Sequence, residues 1–377
     1  MSAPEHPIAS ATPSDRPAQL ARGAALFAFG LLVAAFAFLG VVAPETVERV
    51  YARGVYPWVQ AGLAGLARLS PIALGETLLL LLIGIACLRT VRGILAWRRG
   101  QRRLRNLLAR AFAQVLGFAG VLLFLFVVLW GFNHARLPVA TQFGLVPQAV
   151  SKERLTETIL RLGERAAAAR PPELGGEVHR CLPADWRERI ADAYETAGAQ
   201  WPVLAGPRPT LRAPLISWLM TLSSVTGIYS PFTGEPNVNE HMPDLQKPFV
   251  ALHEVAHLRG YAREDEANFI AWWVGSRSSD PLTRYSCELN AYRIAIAELH
   301  AVDPLEAQLL MTGAPRAIAG DIAAIRAYWL GQPQLATKVL SSISTTTNDL
   351  YLKSAGHADG VQSYGRMLDL LIAALED

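Results

Sequence analysis

The chain has 377 residues, 51% of them hydrophobic and 18% charged, and its mean hydropathy is positive. That balance excludes a wholly soluble protein and puts part of the chain in lipid. The formal charge of +3 misleads, because eight arginines crowd one short segment and without them the remainder carries about −5. The basic balance therefore reports topology and headgroup contact, and no nucleic-acid partner is expected.

The excess apolar content lies in the first third. Residues 1–22 form a polar leader, for which disorder on the cytoplasmic side is expected. Residues 23–43 hold no charge and match the length a helix needs to cross a hydrocarbon core. The leader and the length of the run favour an uncleaved anchor over a signal peptide. A second run spans 72–88 with Glu76 near its start, and a third spans 111–132 without charge. Glu76 is costly in lipid unless it reaches the interface. Residues 23–132 are thus expected to be a three-span membrane anchor, with an Arg-rich loop at 89–110 that contains no acid. By the positive-inside rule this loop and the N-terminus are cytoplasmic, and everything after Phe132 is extracytoplasmic. The expected setting is a cytoplasmic (inner) membrane, with the lipid bilayer as a partner.

Residues 133–377 are long enough for one domain with its own core. Helices are expected at 151–169, opened by Ser151 and closed by Pro171-Pro172, and at 183–199. Residues 203–243 are rich in Pro, Gly, Thr and Ser, so strands and loops are expected there, including the apolar run 215–222. The segment GIYSPFTGEPNVN at 227–239 reads as a turn-bearing hairpin. After Pro248 the chain is helical almost to its end, with breaks near Gly260, Ser279, Asp303, Gly313 and Gly356. The predicted fold class is mainly α: three transmembrane helices, then an extracytoplasmic α+β zincin-like domain with a small β element. Cys181 and Cys287 lie in that domain, where an oxidising compartment would permit a disulfide; spacing alone leaves the pairing open.

Chemistry concentrates in PFVALHEVAHLRGYAREDEANFIAWW, residues 248–273. His253 and His257 are four apart on a helix, hence on one face and one turn from each other. Two imidazoles so placed can hold one Zn²⁺ per chain, and Glu254 beside them can take a proton from the water the ion activates. A helix with two surface histidines is the bland alternative; it loses weight because a third-ligand segment follows directly.

Zinc needs that third protein ligand and an open position. Position 263 is Arg, where a metzincin would carry His; Glu264 and Glu266 are offered instead. In a straight helix Glu264 would lie roughly 16 Å along the axis from His253, too far for a shared ion. The chain must break and fold back, and Gly260 is where a helix would end. Glu264 and Glu266 point about 200° apart, so only one can face the zinc helix. Ala267 and Asn268 follow on the Glu264 side, permitting close approach and offering an amide to support a ligand. Ile270 and Trp273 follow on the other side. Glu264 is therefore the expected ligand, with Glu266 as alternate and Asn268 as its support.

Three blocks, GIYSPFTGEPNVN, the 248–273 segment and YLKSAGHADGVQSYGRMLDLLIA near the C-terminus, resemble the signature blocks of a bacterial membrane family known only as a domain of unknown function. The resemblance implies an HExxH peptidase domain behind N-terminal spans and brings no substrate. The E-x-x-A-N spacing of Glu264 to Asn268 is similar to the ligand helix of several gluzincins. In gluzincin-like enzymes an edge strand before the zinc helix pairs with extended substrate, which makes Tyr229, Thr233, Glu235 and Asn237 to Asn239 candidates for substrate contact. Tyr351, His357, Tyr364 and Arg366 are candidates for stabilising a tetrahedral oxyanion. A structural role is the competing reading for all of these.

The expected function is zinc-dependent hydrolysis of a protein or peptide of the cell envelope. The alternative is a catalytically silent, zinc-stabilised sensor or binding module, against which the intact Glu254 weighs.

Overall fold

The computed structural model describes residues 16–333, apart from 102, 149, 176 and 177, together with 337, 338, 340–342, 346 and 366–376. It is mainly helical, with one small two-stranded sheet, and divides into two compact units. One holds residues 1–37 and 79–128; the other holds residues 38–78 and 129–377.

The first unit is built from most of three helices long and apolar enough to cross a membrane: α1 (Arg16–Phe38), α4 (Leu74–Arg98), whose first turn up to residue 78 belongs to the second unit, and α5 (Leu104–Leu129). Their limits differ from the apolar runs. The first helix stops at Phe38 because Gly40 adopts φ +67° ahead of Pro44, so residues 39–43 fall outside it. The second continues through the arginines to Arg98. Within this unit Gly23 lies against the backbone of Ala113, and Gly30 against Gly120; a Cβ at either glycine would come within 2.4 Å of the facing carbonyl. Partner positions thus rise together by seven residues, so α1 and α5 run parallel through a small-residue seam.

The second unit starts with a single turn, α2 (Pro44–Thr46), a π-helical stretch at Val47–Val55 and α3 (Tyr56–Leu69). After residue 129 come α6 (Val139–Phe143), α7 (Lys152–Ala169), α8 (Trp186–Gln200) and α9 (Ser217–Leu222). Ser151 caps α7, its hydroxyl accepting from the Arg154 N–H at 3.3 Å. The apolar run 215–222, expected as strand and loop, forms the short helix α9 instead. Its entry is fastened from outside: the Glu76 carboxylate accepts from the N–H groups of Leu215 (2.7 Å) and Ile216 (2.9 Å). These two donors would otherwise be left over at a helix start.

The hairpin follows as β1 (Gly227–Ser230) and β2 (Glu235–Val238), antiparallel, with Gly227 opposite Val238 and Tyr229 opposite Pro236. Arg212 covers the far edge of β2, bonding to Pro236 and Val238, which leaves β1 as the open edge. Then come α10 (Lys247–Leu258), α11 (Glu264–Gly275), α12 (Pro281–Val302), α13 (Pro304–Gly313), α14 (Arg316–Leu330) and, at the C-terminus, α15 (Met367–Glu376). Asp280 and Asp303 cap α12 and α13.

Helix α10 is buried on nearly every side, as its apolar residues Phe249, Val250, Leu252 and Val255 require. It packs on α11, α12 and the hairpin. Ile159 and Leu162 of α7, Phe269 and Trp272 of α11, and Leu289 and Ala295 of α12 complete a single core. Each such large apolar side chain contributes roughly 1.5–3 kcal/mol on burial. The helix bearing the HEVAH motif is therefore the centre of the unit. Cys181 and Cys287 are both free thiols, and Cys287 is buried against Gly275.

Candidate metal centre

The turn after α10 is what brings a third ligand back. Gly260 takes φ +83°, its N–H donates to the His257 carbonyl (2.9 Å), and the Tyr261 N–H donates to Ala256 (3.1 Å). This is a Schellman ending, which needs a left-handed residue at that point. A side chain there would also collide with Asn133, Tyr56 and Arg136, each within 3.0 Å of a Cβ.

The remaining carbonyls of the turn are taken by residues far away in sequence. Trp130 Nε1 donates to His257 O (3.0 Å), while Tyr56 Oη and Gln60 Nε2 both donate to Leu258 O. Arg136 Nη1 donates to the carbonyls of Arg259 (3.1 Å) and Gly260 (3.2 Å). Glu48 in turn holds Arg136 through both of its oxygens. The C-terminal end of the motif helix is thus fully bonded without water.

On this frame His253 Nδ1 donates to Asn268 Oδ1 at 2.8 Å, and His257 Nδ1 donates to the Tyr261 carbonyl at 2.7 Å. In the neutral imidazoles these bonds place the proton on Nδ1 and leave the Nε2 lone pair for an ion, the arrangement metal-binding histidines require. Glu264, the first residue of α11, brings Oε2 to 3.1 Å from His253 Nε2 and Oε1 to 3.7 Å from His257 Nε2. One ligand atom from each of the three lies within 4.8 Å of the others. Bonds of ~2.0–2.1 Å in a tetrahedron space ligand atoms about 3.3 Å apart, so the set fits a single small cation such as zinc with little movement.

Glu254 points to the same place but is not one of the three. It is 4% exposed, its Oε2 has no hydrogen-bond partner, and burial pushes its carboxyl up to about 8, with the His253 charge opposing and the Glu264 charge adding. Burial pushes His257 down to about 4, so it is neutral at pH 7. At His253 burial also disfavours the cation, yet the bond to Glu264 and its charge outweigh burial and raise the pKa. The three groups are electrostatically coupled through Glu264.

Strand β1 passes directly over Glu254. A Cβ at Gly227 would sit 2.3 Å from Glu254 Oε1 and 2.7 Å from Val250 Cγ1, so any side chain here would force its neighbours to shift. Tyr229, on the same face two residues on, lays its ring near those of His257 (centroids 6.4 Å) and Trp130 (5.6 Å). The register directs the N–H and C=O of Gly227 and Tyr229 away from β2, toward the open edge.

Other candidate residues are employed elsewhere. Glu266 accepts from the Val139 N–H (2.9 Å) on the opposite side of α11, as the 200° separation demands. Glu235 is fully buried and caps α4, accepting from Leu74 N (2.8 Å), Gly75 N (2.7 Å) and the Thr233 hydroxyl (2.8 Å). Its carboxylate is spent on a helix N-terminus, so a substrate contact is replaced by a structural one. Asn239 likewise bonds Thr221 and the Val225 carbonyl, and Asn237 bonds the carbonyls of Ile228 and Glu235. Tyr351, His357 and Tyr364 lie outside the described residues. Sequence reasoning passed over Gly227, Tyr56, Trp130, Arg136 and Tyr261; among these, Gly227 at the head of the hairpin and Trp130 at the end of an apolar run were the available signals.

A family model described as "Protein of unknown function (DUF3810)" matches residues 51–372, and the chain belongs to that family. No curated protein and no solved structure gives a match.

Proposed function

We propose that the protein is a membrane-anchored, zinc-dependent peptidase acting on a protein or peptide of the cell envelope. The observation that carries this reading is the convergence of His253 Nε2, His257 Nε2 and the Glu264 carboxylate beside the buried, unpartnered oxygen of Glu254. A structural ion would need three or four ligands but no spare carboxylate. When bound, zinc supplies Lewis acidity, polarising a carbonyl and bringing the pKa of water toward neutrality.

The chain's own groups do the rest. Glu254, whose pKa stands near the working range, accepts a proton and delivers it to the leaving amine. The open edge of β1 presents the N–H and C=O of Gly227 and Tyr229 to an extended peptide, which would bind as an added strand over Glu254. Asn268 and the Tyr261 carbonyl hold the two imidazoles in the ligating tautomer.

For location, the arginine-rich segment 89–110, which runs from the end of α4 into the start of α5, is assigned to the cytoplasm and the site to the outer face of a bacterial inner membrane. The test uses full-length protein in neutral detergent with a library of quenched peptides. Wild type should carry about one zinc per chain and cleave a subset; Glu254→Gln should keep the zinc and lose at least ~10²-fold in rate. Zinc retained by both with no cleavage in either, together with selective peptide binding, would favour a silent binding module.

A further inference from the structure

The far side of α10 carries a second feature. Residues 257 and 259 point about 200° apart on a helix, so Arg259 leaves the metal centre behind it. It is 5% exposed, yet only two of its three nitrogens are bonded: Nε donates to Leu204 O (2.9 Å) and Nη2 to Pro207 O (2.9 Å). Nη1 has no partner. Tyr194 lies under the guanidinium at 5.4 Å. Burial, the largest influence, lowers its pKa to about 10, which leaves it a cation at pH 7. Carbonyls and an aromatic ring stabilise this buried cation only in part, and with no acid beside it the site favours an anionic ligand.

Arg259 lines a cavity of about 760 Å³, a size suited to a small-molecule ligand. Gly206 packs directly against Nη1, which is itself shielded from solvent: a Cβ there would lie 2.6 Å from it. Two further arginines line the cavity. Arg136 is fully used by Glu48 and the carbonyls of the turn, but Arg53 is bonded only through Nε, to Glu48, and its side chain is 58% exposed. No acid is in the wall; Glu48, behind it, offsets one of the three positive charges. The rest is largely apolar, including Pro57, Ala61 and Val203. Residues 52–61 of the lining belong to the stretch that links two helices apolar enough to cross a membrane, and Val55 and Trp58 in that stretch are exposed.

We propose that this cavity binds the phosphate group of an anionic amphiphile, an anionic phospholipid in particular, with the free nitrogens of Arg53 holding the phosphate oxygens and the buried Arg259 cation attracting them from behind the wall. Arginine suits phosphate because its planar donors match two oxygens at once. The apolar walls take the body attached to the phosphate. The proposal concerns the back of α10 and stands independently of whether the metal centre hydrolyses anything.

The test is native mass spectrometry on full-length protein in neutral detergent, titrated with phosphatidylglycerol, phosphatidylcholine or inorganic phosphate. One phosphatidylglycerol should bind per chain at least tenfold more tightly than phosphatidylcholine. Arg53→Gln and Ala61→Phe, both at exposed positions, should each weaken that binding tenfold or more while keeping wild-type thermal stability. Arg259→Gln should do the same if it folds. If millimolar inorganic phosphate displaces the lipid, recognition lies in the phosphate alone and free phosphate is an adequate source; failure to displace it identifies the lipid. Equal binding of the two lipids, or wild-type affinity in either Arg53→Gln or Ala61→Phe, would overturn the assignment.

Discussion

His253 and Asn268 meet at 2.8 Å across the turn that joins α10 to α11, one helix supplying the imidazole and the next its orientation. The same second helix supplies Glu264, four residues earlier, to the other ring nitrogen. One helix face therefore carries both a candidate ligand and the group that aligns the imidazole. Asn268→Ala is expected to weaken zinc binding by ~10–100-fold, as loss of such a supporting bond does elsewhere. Asn268→Asp, which keeps the acceptor, should stay within a few-fold of wild type. Competition against a chromophoric chelator measures both; equal affinities for wild type and Asn268→Ala would remove Asn268 from the site.

Proton linkage gives a second check. His253 has its pKa raised above the ordinary 6.5 by Glu264, so it is largely protonated below that pH and must lose a proton before its Nε2 can ligate. His257, pushed down to about 4, has none to lose. Zinc affinity should therefore fall by at least about tenfold for each unit the pH drops below ~6.5. Calorimetry in buffers of different ionisation enthalpy would read the released proton directly. A flat affinity between about pH 5.5 and 6.5 is the contrary result.

Much of this centre is legible in the sequence because its determinants are local. Helical period places His253 over His257, Gly260 marks the helix end, and a 200° separation lets only one of Glu264 and Glu266 face the pair, with Ala267 and Asn268 favouring Glu264. The rest depends on contacts that spacing cannot reveal. Trp130 is 127 residues from the carbonyl it binds and Tyr56 is 202 from its own; the first lies near the end of an apolar run and the second in the connection between two others. Glu235 illustrates the same limit. A carboxylate in a polar hairpin looks alike whether it faces a substrate or caps a remote helix, and only the fold shows it 160 residues away at the start of α4. The run 215–222 became a helix for a similar reason, since the carboxylate that fastens its entry, Glu76, comes from a different part of the chain.

The arginine-rich segment predicts a topology. Reporter fusions after Gly100 should behave as cytoplasmic, and fusions after residue 145 as extracytoplasmic. The parallel seam of α1 and α5 requires the N-terminus and the segment before α5 to share a side, so a fusion ahead of Arg16 should match the one after Gly100. The reverse pattern would move the proposed substrate to the cytoplasm.

The tied carbonyls at the end of α10 predict a stability effect. Trp130→Phe keeps the ring but removes the donor to His257 O, leaving a buried carbonyl unpaired at a cost of ~1–3 kcal/mol. Gly260→Ala forces a side chain into a left-handed, crowded position, with strain also of order 1–3 kcal/mol. Both should lower the thermal midpoint of the zinc-loaded protein, and both should weaken zinc binding because His257 is the residue these bonds anchor. An unchanged midpoint for Gly260→Ala would mean that the turn is not the one described.

Gly227 offers the sharpest separation of hydrolysis from metal binding. The residues nearest to a Cβ at that position are Glu254, with Oε1 at 2.3 Å, and Val250, with Cγ1 at 2.7 Å, neither of them one of the three candidate ligands. Val250 is packed in the core and β1 is held to β2, so the least constrained group is the Glu254 carboxylate, whose Oε2 has no bond to keep it in place. Gly227→Ala should therefore swing that carboxylate away or lift the strand, leaving His253, His257 and Glu264 where they are. Zinc content should remain about one per chain and affinity within a few-fold of wild type. Hydrolysis should fall by ~10²-fold or more, the scale of a lost general base. Ile228→Ala is the control, since that side chain is 54% exposed on the other face of the strand. Measured on the same peptide, the pair of variants reports whether Glu254 and the strand over it work as one unit. If Gly227→Ala hydrolyses like wild type with its zinc intact, Glu254 is not the base and the proton must be taken by another group.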